Sequence, residues 1–142
     1  PDFSSSGTVD RRVDIVAPGS HIVSLRTPGS YIDRTYGQSG VVSATLFRGS
    51  GTSQAAAITS GAAALIIQQR PGITPGQLKA LLRRTAQHLD RETMEAQGAG
   101  ELDLTAALNT LTPQAKEFVA APSIGTGTLD GHEDHGVSLA TE

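Results

Sequence analysis

The longest apolar run in the chain lies between Ser53 and Gln69 and predicts one long helix. Its alanines, together with Leu65, Ile66 and Ile67, cover nearly every face of that helix. A helix that is apolar all round is usually buried, so we expect neighbours on every side. Hydroxyl residues and a glycine interrupt the run, which is shorter than the roughly 20 apolar residues that a membrane span needs. The pattern therefore favours a buried core helix and indicates no membrane span.

A second helix is predicted to begin at Thr74-Pro75. Thr74 can cap it, Pro75 suits the first helical position, and Gln77 completes a capping box. Arg83 and Arg84 stand toward the C-terminal end, where the helix dipole favours cations. The apolar positions form one stripe: Leu78, Leu81, Leu82, Thr85 and Leu89. We therefore expect an amphipathic surface helix.

Shorter elements surround these helices. Residues 12–18 and 21–25 predict two short strands, each followed by a Pro-Gly turn. Residues 30–49 are ambiguous, because Val41-Val42 and Leu46-Phe47 fit a hairpin or an ordered loop equally well.

The pattern weakens toward the C-terminus. Gly98-Ala99-Gly100 predicts a turn, and Asp103 can cap a short helix through Leu108. After Thr112 only scattered apolar positions remain. We therefore expect a domain over residues 1–112 and a linker or poorly ordered tail over residues 113–142.

Composition and charge narrow the classes of function. The chain has 142 residues, enough for one core, and a net charge of −3. It lacks the concentrated basic face that a nucleic-acid partner requires. It has no cysteine, which excludes disulfides. It begins Pro1-Asp2-Phe3, with neither an initiator methionine nor a signal-like segment, so we expect a piece of a longer precursor.

The candidate chemistry stands where the long helix begins. Gly49-Ser50-Gly51-Thr52-Ser53 is a glycine-rich approach to a helix N-terminus, which offers unpaired N–H groups of partial positive charge. A serine there suits acyl transfer through a tetrahedral oxyanion. A phosphate-binding P-loop would need lysine in place of Thr52, and a G-x-S-x-G elbow would need glycine in place of Ala55. On local grounds alone, Ser53 is instead an ordinary helix cap.

Blocks spread over residues 3–109 change that interpretation. They are Phe3-Ser4-Ser5-Ser6-Gly7, Asp14-Ile15-Val16-Ala17-Pro18-Gly19, Gly51-Thr52-Ser53-Gln54-Ala55-Ala56, Gly61-Ala62-Ala63-Ala64-Leu65, Thr74-Pro75 and Gly98-Ala99-Gly100-Glu101-Leu102-Asp103. In this order and spacing the blocks resemble the last part of the catalytic domain of the subtilisin-like serine proteases (peptidase family S8, the subtilases).

The resemblance implies an α/β fold: the C-terminal part of a three-layer domain with a parallel sheet and a long buried helix that begins at the nucleophile. It implies that Ser53 attacks a peptide carbonyl, and that the Ser53 N–H, helped by the Thr52 hydroxyl, lines the oxyanion hole. It implies a protein or peptide substrate and a secreted or cell-surface location. No cofactor is expected, and although many relatives hold calcium, no carboxylate cluster in this sequence demands a metal.

The remaining catalytic groups are expected outside this sequence. In subtilisins the triad follows the order Asp, His, Ser, so both partners of Ser53 should precede it. His21 is the only histidine before Ser53 and falls where the family has a variable turn residue. Asn109, the only asparagine, comes too late for the oxyanion hole. We expect the chain alone to be inactive and its main partner to be the upstream half of its own domain.

Two rival interpretations stay open. The first is a non-catalytic subtilase relative that serves as a binding or scaffolding domain. The second is a stand-alone module, which would leave a sheet edge uncovered. We therefore expect the isolated chain to aggregate or to remain partly molten.

Smaller signals are expected to be structural. Asp10 and Asp14 suit structural positions, and His132-Glu133-Asp134-His135 suits a solvated tail more than a metal site. The family usually has Met where Gln54 stands and Pro where Ala57 stands. The first difference predicts lower sensitivity to peroxide.

Overall fold

The computed structural model describes residues 2–8 and 12–117. These residues form a two-stranded sheet, which leads into the N-terminal end of the longest helix, and a core made by several helices. The elements in chain order are β1 (Ile22–Leu25), α1 (Tyr31–Gly40), β2 (Leu46–Gly49), α2 (Thr52–Gln69), α3 (Pro75–Thr85), α4 (Met94–Gln97) and α5 (Leu104–Asn109). Helices and strands together confirm the α/β class.

Strands β1 and β2 pair antiparallel, with Ile22 opposite Gly49 and Leu25 opposite Leu46. The segment between them holds α1, which the hydrophobic pattern left undecided. Ser30 caps this helix, since its hydroxyl accepts from the Asp33 N–H. The predicted strand at 21–25 is confirmed, and residues 30–49 resolve into a helix and a strand.

The predicted strand at 12–18 is confirmed only as a single parallel bridge between Val16 and Glu101. The Val16 N–H donates to the Gly100 carbonyl at 2.9 Å, and the Leu102 N–H donates to the Val16 carbonyl at 2.8 Å. Pairing extends no further because the partner segment turns at two glycines with positive φ, Gly98 and Gly100, and soon enters α5. The sheet of the described residues is therefore antiparallel, and the parallel sheet stays a prediction for the larger domain.

Helix α3 begins as its sequence predicts but ends at Thr85, so Leu89, predicted on its apolar stripe, lies beyond it. The Gln77 N–H donates to the Thr74 hydroxyl at 3.3 Å, and the Gln77 side chain accepts from the Thr74 N–H at 3.1 Å, which completes the capping box. Leu81 and Leu82 are buried. Helix α5 is capped by Asp103, whose carboxylate accepts from the Ala106 N–H at 2.7 Å. Both helix starts are thus confirmed.

The core lies where α2, α3 and α5 meet. Its buried members are Ile66, Leu81, Leu82 and Ala107, with Ile15, Ile73, Leu78, Leu102, Leu104 and Leu108 packed around them. Arg70, at the end of α2, closes one side of this core. Its guanidinium donates to the Ala107 carbonyl at 3.2 Å and to the Leu108 carbonyl at 2.9 Å. The end of α2 is thereby tied to the end of α5.

The prediction that α2 is buried on all sides is wrong for the described residues. Only Ala62 and Ile66 of this helix are buried, while Leu65 is 49% and Ile67 is 46% exposed. The physical reason is that the described elements cover one face of α2 and leave its other apolar face open. No helix among residues 2–8 and 12–117 has the length and apolar character to cross a bilayer.

The predicted tail is described only over residues 113–117, which form neither helix nor strand. Here the Glu117 carboxylate lies against the start of α3, where it accepts from the Gly76 N–H at 3.0 Å and from the Thr74 hydroxyl. Residues 118–142, including the His132–His135 segment, lie outside the described residues. The boundary between residues 112 and 113 stays a prediction.

Candidate active site

The N-terminus of α2 is capped by Gly51, not by Ser53. The Gly51 carbonyl accepts from the N–H groups of Gln54 at 3.2 Å and Ala55 at 3.4 Å, and so begins the helix. Ser53 is therefore the second helical residue. A serine that caps a helix accepts a hydrogen bond from an N–H two or three residues later. Ser53 lies inside the helix and accepts no such bond within the described part of the chain, so its interpretation as an ordinary helix cap is wrong.

Ser53 is exposed, and its hydroxyl has no hydrogen-bond partner within the described part of the chain. Thr52, the preceding residue, is exposed as well. The N–H groups of these two residues, unlike those of Gln54 and Ala55, have no acceptor among residues 2–8 and 12–117. Unpaired N–H groups in a first helical turn carry partial positive charge, so the site offers a free hydroxyl beside donors for an anionic oxygen.

Two hydrogen bonds hold the loop that leads into α2 against residues 19 and 21. The Ser50 hydroxyl accepts from the His21 N–H at 2.8 Å, and the Gly51 N–H donates to the Gly19 carbonyl at 2.8 Å. The sequence predicts Pro18-Gly19 only as the turn that ends a strand, and it does not indicate this contact. The spacing of 32 residues between Gly19 and Gly51 gives no local signal for it.

A cavity of about 460 Å³ opens beside the start of α2. Thr52 and Ala55 form one wall, and residues 16–20 form another. Gln97 lies in the opposite wall and is almost fully buried. Its amide donates to the carbonyls of Leu89 at 2.9 Å and Glu92 at 2.8 Å, which fixes the loop between α3 and α4.

The structure does not bring a histidine into hydrogen-bond contact with Ser53 among the described residues. The His21 ring lies with its Nδ1 at 2.9 Å from the Ser20 hydroxyl, and its backbone is in the left-handed region with φ of 57°. His21 is thus engaged with its own neighbour. The sequence disfavours His21 as the base, and among the described residues its ring makes no hydrogen bond to Ser53.

Among the described residues, the ionisable groups with shifted pKa values owe these shifts to contacts that do not involve Ser53. Hydrogen bonds from Arg26, and next from the Gly29 N–H, hold the pKa of Asp33 below its usual value. The pKa of Glu95 is lowered by its own backbone N–H and then by the Thr93 hydroxyl. These shifts belong to structural contacts at helix starts.

The acidic candidates Asp10 and Asp14 have separate outcomes. Asp14 pairs with Lys79 at 2.8 Å and with Arg83 at 3.7 Å, which supports its structural interpretation. Asp10 lies outside the described residues. Across the described ranges, no three side chains of the His, Cys, Asp and Glu types lie close enough to hold a metal ion.

Comparison with known proteins gives consistent results. Residues 1–100 match the model of the subtilase family, peptidase S8. Serine protease AprX of Bacillus subtilis is 42% identical over 104 residues, which are 71% of this chain and 23% of AprX. The extracellular basic protease of Dichelobacter nodosus is 35% identical over 135 residues, which are 92% of this chain and 21% of that protease.

A solved structure agrees with these relatives. Fervidolysin from Fervidobacterium pennivorans, described as a keratinolytic enzyme related to subtilisin, superposes with a TM-score of 0.60 at 30% identity. The match covers 71% of this chain and 16% of fervidolysin. The chain therefore spans less than a quarter of the length of each of these three proteins.

Proposed function

Because the chain belongs to the subtilase family, we propose that it is the C-terminal part of a serine endopeptidase domain in which Ser53 is the nucleophile. The observation that carries this proposal is the state of Ser53. Its hydroxyl is exposed and unpartnered among the described residues, although serine at a helix start ordinarily caps. A hydroxyl that does not cap the helix is available to react.

The proposed reaction uses three groups at this helix start. The Ser53 Oγ attacks the carbonyl carbon of a peptide bond, and its proton passes to a histidine base. The carbonyl oxygen becomes an oxyanion that accepts from the Ser53 N–H, with help from the Thr52 hydroxyl. Return of the proton to the leaving amine gives an acyl-enzyme, and water then releases the second product.

The base, its aspartate and a further oxyanion donor are proposed to come from a preceding part of the same polypeptide. Two observations support this. No histidine bonds to Ser53 among the described residues, and the open apolar face of α2 lacks a cover there. A serine without its base is barely nucleophilic near neutral pH, so the chain alone is expected to be inactive.

A second candidate is a non-catalytic subtilase relative that serves as a binding or scaffolding domain. The lack of a contact between Ser53 and any described histidine is compatible with it. The two candidates differ in the residues that precede this chain: an endopeptidase needs both the aspartate and the histidine there.

The location proposed for the protein is secreted or cell-surface. The similarity to an extracellular protease supports this proposal. The substrate class proposed is protein or peptide, and membership of the subtilase family supports it.

Fluorophosphonate labelling tests the proposed function. The parent polypeptide, meaning the longer protein proposed above, is compared with its Ser53→Ala variant and with the isolated chain. Labelling of the unmutated parent alone supports an activated nucleophile at Ser53. A folded parent that does not label would favour the non-catalytic candidate.

A further inference from the structure

Gly19 and the loop before Ser53 meet backbone to backbone. The Gly51 N–H donates to the Gly19 carbonyl at 2.8 Å. A Cβ built on Gly19 would lie 2.8 Å from the Gly51 carbonyl oxygen and 3.1 Å from the Ala55 Cβ. The first distance is shorter than any ordinary van der Waals contact of a Cβ, so this position accepts only glycine without a shift of the loop.

Space alone, and not backbone conformation, imposes glycine at this position. Among the described residues, the glycines with φ in the left-handed region are Gly29, Gly98 and Gly100, so Gly19 has a backbone that other residues can adopt. The requirement therefore points to what Gly19 contacts. That neighbour is the carbonyl oxygen of Gly51, which begins α2 by accepting from Gln54 and Ala55.

We propose that Gly19 is a positioning residue for the nucleophile Ser53; this inference rests on the proposed function. Its carbonyl holds the Gly51 N–H, and its missing side chain leaves room for the Gly51 carbonyl. Thr52 and Ser53 lie between Gly51 and the first residues that this carbonyl binds. Any displacement of Gly51 therefore moves the nucleophile and its N–H together.

A second tether runs parallel to the first. The Ser50 hydroxyl accepts from the His21 N–H at 2.8 Å, and His21 reaches it with a left-handed backbone. The two tethers connect residues 19 and 21 with residues 51 and 50. They fix the two residues that immediately precede α2, and holding the approach to a reacting group in this way preorganises it.

The test measures the rate constant of fluorophosphonate labelling in the parent polypeptide, together with kcat and KM for a peptide substrate. Gly19→Ala is the principal variant, and Ser50→Ala removes the second tether without adding bulk. Gly72→Ala is the matched control, because a Cβ on Gly72 meets nothing within 4 Å. The labelling rate constant reports geometry in each folded molecule, whereas the labelled fraction reports how many molecules are folded.

For Gly19→Ala we expect the labelling rate constant and kcat to fall about 10- to 100-fold, since a nucleophile misplaced by about 1 Å loses on that order. KM stays within about threefold, because a misplaced nucleophile weakens the transition state more than the bound substrate. Ser50→Ala shows a smaller fall, and Gly72→Ala matches the unmutated protein. A merely structural role would lower the unfolding temperature and the labelled fraction but leave the rate constant unchanged.

An unchanged rate constant in Gly19→Ala overturns the positioning role, while labelling of the unmutated parent still supports Ser53 as the nucleophile. If Gly19→Ala does not fold, Ser50→Ala decides: an unchanged rate constant overturns the proposal, and a lower one at an unchanged unfolding temperature supports it. A parent that never labels removes the proposed function and the positioning role with it.

Discussion

The guanidinium of Arg26 and the carboxylate of Asp33 form a two-point ion pair, with Nε to Oδ1 at 2.6 Å and Nη2 to Oδ2 at 3.1 Å. Arg26 follows β1, and Asp33 stands in the first turn of α1. The same carboxylate accepts from the Gly29 N–H at 2.9 Å. One side chain therefore fixes the turn, the start of the helix and the end of the strand.

This pair predicts a loss of stability in acid. The pKa of Asp33 is lowered in the folded state, chiefly by the Arg26 hydrogen bonds. A lowered folded pKa gives a stabilising contribution that is complete above the unfolded value of about 3.9 and is lost as the pH falls through the folded value. The unfolding temperature of the parent polypeptide should therefore fall more steeply below about pH 4 than that of its Asp33→Asn variant. Parallel curves for the two proteins between pH 2.5 and 7 would contradict this.

A second prediction concerns the packing of Phe47 on α1. A Cβ on the buried Gly40 would lie 2.2 Å from the Phe47 ring, so Gly40→Ala must displace that ring. We expect a loss of about 1 to 3 kcal/mol in the free energy of unfolding of the parent polypeptide, measured by denaturant titration.

Gly37→Ala is the matched control in the same helix. There the new Cβ would meet only the Val41 Cγ2, at an ordinary 3.8 Å. Alanine is the better helix former by about 0.5 to 1 kcal/mol, so this variant should be neutral or more stable. If both variants behaved alike, the contact between Gly40 and Phe47 would not be the cause.

A third prediction concerns oxidation beside the nucleophile. Gln54 is half-buried, and its amide folds back over the loop, since a Cβ on Gly51 would meet the Gln54 Oε1 at 2.6 Å. A thioether in this place would stand next to Ser53 and form a sulfoxide in peroxide. We expect the peptidase activity of the Gln54→Met parent to decay faster in peroxide than that of the unmutated parent. Equal decay rates of the two proteins in peroxide would contradict the predicted effect of Gln54.

A fourth prediction concerns the chain on its own. Large apolar side chains are open on several elements, among them Leu65 and Ile67 on α2, Tyr31, which is 70% exposed, on α1, and Leu25, which is 84% exposed, on β1. Extended apolar surface of this kind favours association. We expect the isolated chain to aggregate or to melt without a cooperative transition. Sedimentation of a monomer together with a sharp calorimetric peak would show that it folds alone.

Local signals were sufficient for three helices. The capping box of α3 and the Asp103 cap of α5 each involve residues within three positions of one another, so a single sequence shows them. The start of α2 was predicted within one residue, because a glycine-rich loop leads directly into an apolar run.

Contacts between distant residues could not be predicted in this way. Helix α1 has few apolar residues, and it is held by Ser30 and by the pairing of Asp33 with Arg26 rather than by a hydrophobic stripe. The burial of α2 depends on which other segments pack against it, and the hydrophobic pattern of α2 alone does not show that. The approach of Gly19 to Gly51 and the free state of the Ser53 hydroxyl likewise depend on how separate segments meet.

The contact of Arg70 with the end of α5 has a practical consequence for where the chain can be cut. The match to the subtilase family model ends at residue 100, yet the carbonyl acceptors of Arg70 are residues 107 and 108. Ala107 is also fully buried in the core. A truncation at residue 100 would remove the carbonyl groups that the Arg70 side chain binds at the end of α2. It would also remove Ala107 from the core. We therefore expect a stable truncation to end beyond Asn109; the Thr112 hydroxyl also accepts from the same guanidinium, at 3.4 Å.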